Sequence, residues 1–199
     1  MRSFLFSITA VFLFLVGCSS TTSEGVSPQD NVKAEVDNSE KRKGELLNWE
    51  NDMLAMLDNI SNDWFSFMED DSLWDNMLVA NKDTYFLEKT NEALSEQSRQ
   101  FEEYNKQLRE LELPKSLPTE DLIKLGNTRA ILEESIDDQT MVISSLQRYA
   151  SEESESMRDT ILESVDGNVR AIKLKQKRFE RELNELNQKY DLEPIKYFQ

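Results

Sequence analysis

The chain is 199 residues long and carries a net charge of −16, with no histidine, one cysteine, five glycines and four prolines. So little Gly and Pro favours helices over a turn-rich β-sandwich. A surface this acidic argues against nucleic acid, whose phosphates need clustered Lys and Arg, and a single cysteine excludes an internal disulfide.

Residues 1–17 read as a secretory leader: Arg2 is a short positive start, Phe4–Phe14 an apolar stretch, and small residues then approach Cys18. The apolar run is too short to cross a bilayer as a stable helix. Leu15-Val16-Gly17-Cys18 resembles the lipobox of bacterial lipoproteins. That resemblance implies cleavage before Cys18, a diacylglycerol on its sulfur and often an acylated (palmitate-type) N-terminus. It places the mature chain outside the cytoplasm, held to the cell membrane by lipid, or to an outer membrane if the source is Gram-negative. Two or more acyl chains give stable anchoring, at about 0.8 kcal/mol per buried CH₂. Loss of Arg2 with the leader would take the net charge from −16 to −17.

Residues 18–44 are expected to form a lipidated, flexible tether. They are rich in Ser, Thr, Glu, Asp and Asn and nearly free of large apolar residues. Such a segment buries too little surface to offset its ordering entropy. Lys41-Arg42-Lys43 reads as a solvated basic cluster.

Residues 45–192 are expected to form an all-α, up-down antiparallel bundle of four helices, with three as the alternative, in coiled-coil-like packing. The first stripe runs Leu46, Trp49, Met53, Leu57, Ile60, Trp64, Phe67, then Asp71, Trp74 and Leu78, in steps of three and four. Leu47, Leu54, Met56, Phe65, Met68 and Met77 widen it. Glu69-Asp70-Asp71-Ser72 interrupts this helix, and a kink or break there, with Ser72 capping a second segment, is favoured over a continuous rod. The second helix, from Asp83 or Thr84 to Leu111, carries Phe86, Leu87, Ala93, Leu94, Phe101, Tyr104 and Leu108, interrupted by Thr90 and Gln97. Proline at 114 and 118 marks the clearest turn. The third helix starts with Thr119 as its cap and carries Leu122, Leu125, Leu132, Ile136, Ile143 and Leu146, with Arg129 and Gln139 as polar interruptions. A turn is expected at Ser151–Ser154, with Ser151 or Ser154 capping the last helix. That helix carries Met157, Ile161, Val165, Ile172, Phe179, Leu183, Leu186 and Tyr190. Residues 193–199 form a tail whose Ile195, Tyr197 and Phe198 are placed to fold back on the bundle.

Two features bear on function. The first helix, Glu45 to Val79, holds nine acids and no base. The last holds Arg170, Lys173, Lys177 and Arg181 at helical spacing, away from Ile172 and Phe179. Charge runs usually mark solvated faces, while the sharper reading has the basic row touch an anionic cell-wall polymer or an envelope protein. The Trp and Met residues of the first helix read mainly as core, and alternatively as the lining of a groove for an apolar ligand or peptide. Glu69, Asp70, Asp71 and Asp75 lack the glycine and ligand spacing of a calcium loop. No metal, cofactor or catalytic residue is assigned. The expected function is a non-enzymatic, membrane-anchored binding or structural module of the bacterial envelope; the alternative is a carrier or chaperone-like binder of an apolar ligand or peptide. The resemblance covers only the leader. The bundle shares its architecture, though no motif, with small helical lipoproteins of Gram-positive bacteria described as cell-wall binding.

Overall fold

A computed structural model describes residues 28–198, with side chains from Asp37 onward. The leader, Cys18 and the first part of the tether lie outside the described residues. Five helices follow in order: α1 (Pro28–Met68), α2 (Asp71–Ala80), α3 (Thr84–Glu110), α4 (Thr119–Ser151) and α5 (Glu155–Lys189). The fold is an all-α bundle.

α1 starts well before the expected end of the tether, so residues 28–44 are helix. Polar residues such as Glu, Lys and Gln are good helix formers without any core to face. The end of this extension is also held by contacts: Arg42 donates from Nε to the carbonyl of Ser116 at 3.1 Å, and Glu45 accepts from the Ser116 amide at 3.0 Å. Leu46, Trp49, Met53, Leu57, Ile60, Trp64 and Phe67 are all buried, as the stripe predicts. Leu47 and Phe65, expected to widen it, are exposed.

The break after Met68 is present, but Asp70, not Ser72, caps α2 by accepting from the Leu73 amide at 3.0 Å. The break also moves the buried phase by one residue. α2 buries Leu73, Met77 and Ala80, while Asp71 and Leu78 face water and Trp74 is half-buried, its indole N–H held by the Met68 carbonyl at 3.0 Å. The expected four helices are thereby five. Arg158 and Asn81 tie α2 to the α4–α5 end of the bundle, through the carbonyls of Met77 and Glu152.

α3 to α5 follow the predicted stripes with three corrections. Ala93 and Met157 are exposed. Pro118, not Thr119, occupies the cap position of α4, with no side-chain capping bond. Ser154 does cap α5, accepting from Met157 N. α4 is the central element, packed on both α3 and α5, and so buries two faces: Ile131, Val142, Tyr149 and Ala150 join the predicted stripe, as do the small polar residues Thr128 and Ser135.

Side-chain pairs set the directions. Lys189 with Asp121, Lys124 with Glu185 and Lys175 with Asp138 run α4 antiparallel to α5. Arg109 with Glu133 and Gln147 with Ser95 do the same for α3 and α4. Asn187 with Glu50, together with Trp64 lying beside Ile172 farther along, places α1 antiparallel beside α5. This last seam differs from the others. Packed helices normally lie 8–10 Å apart, yet no Cα of α1 comes within 8 Å of one in α5.

Candidate binding cavity

Both helices offer apolar stripes to the α1–α5 seam, so something must fill the extra width or leave a hollow. The chain does both. Beyond Tyr190, Asp191 takes a positive φ of 53° and turns the chain back, and the Leu192 amide donates to the Asn187 carbonyl at 2.8 Å. The returning tail is pinned along α5. Asn184 brackets Ile195, donating to its carbonyl at 2.9 Å and accepting from its amide at 2.7 Å. Glu180 accepts from the amides of Tyr197 and Phe198 at 2.9 and 2.7 Å. Phe198 meets Phe179 edge-on, with centroids 6.3 Å apart. On the α1 side, Tyr197 donates its hydroxyl to Asp58 at 2.7 Å. Burial, reinforced by Asp58 and offset in part by Ser61, pushes that hydroxyl up to about 12. Beneath the tail Asn187 donates to Glu50 at 3.0 Å, and burial still raises the Glu50 carboxyl above its ordinary value.

Past Phe198 no described residue fills the seam. A cavity of about 790 Å³ opens there between Ser61–Phe65 of α1 and Val169–Lys177 of α5. Trp64, Val169, Ile172 and the tail's Phe198 supply an apolar lining. Phe65 and Leu174 reach its surface while 61% and 71% exposed, so two large apolar side chains stand in water beside an apolar hollow. Gln139 of α4 also lines it, 1% exposed, and neither its amide nitrogen nor its amide oxygen has a hydrogen-bond partner.

The basic row spans two hollows. Arg170, Lys173 and Lys177 line the cavity, and Lys177 also lines, with Arg181, Glu185 and Gln188, a separate shallow depression. Arg170 pairs with Asp166 at 2.5 Å and Arg181 approaches Glu182 at 4.0 Å. Among the described residues Lys173 and Lys177 form no ion pair, although acids far outnumber bases in the chain.

The first helix's acids are not one solvated face. Glu50 is buried, Asp70 is a cap, and Glu45 and Asp58 fasten the bundle's turn and tail; Asp63 accepts from Gln100 and Tyr104 of α3. The Trp and Met residues are chiefly core: Trp49, Met53 and Met77 are buried, and only Trp64 of the set borders the cavity. Sequence reasoning treated Gln139 as a mere interruption and did not anticipate Phe65, Leu174 or the tail aromatics as lining. The available signals were a Gln within an apolar stripe and aromatic residues placed just after Pro194.

No protein-family model, curated protein or solved structure matches the chain. Among the described residues no helix is long and apolar enough to cross a membrane, and no cluster of His, Cys, Asp or Glu is placed to hold a metal ion.

Proposed function

We propose that this protein is a lipid-anchored, extracytoplasmic binding module of a bacterial envelope and performs no chemistry itself. The observation that carries this reading is Leu15-Val16-Gly17-Cys18 at the end of an apolar leader, with Cys18 the sole cysteine. The helical stretch that precedes Arg42 in α1 would add roughly 20 Å of stiff spacer between anchor and bundle, at 1.5 Å per residue. Exposed Arg170, Lys173, Lys177 and Arg181 give the bundle a weak, salt-sensitive attraction for an anionic envelope polymer or protein.

Metabolic labelling with a clickable palmitate analogue tests the anchor. The full chain is expected to take up label and fractionate with membranes, and Cys18→Ala to lose the label and remain as uncleaved precursor. Undiminished labelling of Cys18→Ala would overturn the reading.

A second reading, a carrier of an apolar ligand, is favoured by one observation: the apolar-lined cavity of about 790 Å³ between α1 and α5, within the range of about 300–1,000 Å³ usual for small-molecule sites.

A further inference from the structure

We infer that the α1–α5 cavity binds a single-chain acyl carboxylate, with its chain against Trp64, Ile172 and Phe198 and its head at Lys173 and Lys177. The inference rests on the carrier reading and names the ligand class.

Two independent features point to an amphiphile of this charge. The interior is apolar, and Phe65 and Leu174 leave apolar surface in water that a hydrocarbon chain would cover. Lys173 and Lys177 stand one helical turn apart with no ion pair among the described residues, and both line the cavity. Among the described residues most basic side chains have a carboxylate within reach; Lys82, Lys89, Lys196 and some arginines also have none, but of the bases without one only Lys173 and Lys177 line the cavity, where a ligand head would emerge. A neutral ligand would leave that charge unused.

Other occupants fit less well. A polyanionic wall polymer would satisfy the lysines but leave the apolar interior empty. A second copy of the chain would bring another −16 of charge against a like-charged body.

The test uses the full chain in isolated membranes, where added probe is not metabolised. One sample receives diazirine-bearing hexadecanoic acid and another the matching hexadecanol. After photolysis and digestion, labelled peptides are mapped by mass spectrometry. The expected result is label from the acid on peptides that contain Trp64–Phe65 or Val169–Lys177, about fivefold above the alcohol. The double variant Lys173→Gln/Lys177→Gln should fall to the level of the alcohol, a change that two exposed charge contacts can supply. Both lysines are exposed and form no ion pair among the described residues, so the fold is retained, which circular dichroism verifies. Equal labelling by acid and alcohol, or labelling unchanged in the double variant, overturns the carboxylate inference while the carrier reading stands. Label confined to other peptides overturns both, and leaves the Cys18 anchor untouched.

Discussion

The α1–α5 seam is one structural problem with two outcomes. Over the stretch from Glu50 to Asp58 the returning tail fills the gap and polar groups pair around it: Asn187 Nδ2 with Glu50, Asn184 with Ile195, Tyr197 with Asp58, although the Asn187 Oδ1 has no partner. Over the stretch from Ser61 to Phe65 the same two helices, still too far apart to interlock, enclose a hollow with an unpartnered Gln139 on its wall. Helix stripes alone do not close this seam. Where the tail lies between the helices the seam is core, and beyond Phe198 the described residues leave it open.

The largest effect should come from converting the first half into the second. Truncation after Leu192 removes Ile195, Tyr197 and Phe198, all half-buried, and strips the partners from Asn184 and Glu180. At about 1.5–3 kcal/mol for a fully buried large apolar side chain, three partly buried ones sum to roughly 3–4 kcal/mol. Urea denaturation is expected to show that loss with helix content by circular dichroism nearly unchanged. A loss under about 1 kcal/mol would mean that the tail merely rests on the bundle.

A smaller break leaves the tail in place and removes one bond beneath it. Asn187→Ala takes the donor from Glu50, which is 4% exposed, and should cost about 1–3 kcal/mol at neutral pH. The pH dependence has a definite sign. Burial already raises the Glu50 carboxyl above its unfolded value, so ionisation penalises the folded state, and the penalty grows as pH rises through the raised value. Loss of the Asn187 donor raises it further. The variant's deficit should therefore be wider at pH 8 than at pH 5, and Glu50→Gln in the same background should abolish the difference. Paired unfolding curves at the two pH values check this.

Much of the bundle is legible in the sequence because burial repeats every three or four residues. Trp49, Met53, Leu57 and Ile60 on α1, and Ile161, Val165, Ile172 and Phe179 on α5, announce their faces without reference to any neighbour. The break at Glu69–Ser72 and the Ser154 cap are readable for a similar local reason. What escaped depends on relations between segments. The phase change into α2 follows from how Asp70 caps it, and the helical start of α1 lies in a polar stretch that no apolar stripe marks. The cavity is a missing contact between two stripes that each look complete. Lys173 and Lys177 stand out as a basic row, but Phe65, Leu174 and Gln139 join them only through the spacing of α1 and α5.

The finest test acts on the open half and has the opposite sign. Gln139→Leu keeps nearly the same volume and removes two buried polar atoms that have no partner. Replacement of an unsatisfied buried amide by an apolar group recovers its desolvation cost, so the variant should be more stable by about 1 kcal/mol in urea unfolding. The corresponding change in the filled half, Asn187→Leu, deletes a bond that is in use and should destabilise. Opposite signs for two buried amides, one against α4's side of an empty seam and one beneath a filled one, would show that Gln139 is retained at a cost to the fold. If Gln139→Leu instead destabilises as Asn187→Leu does, the amide contributes to the fold, and both halves of the seam behave as core.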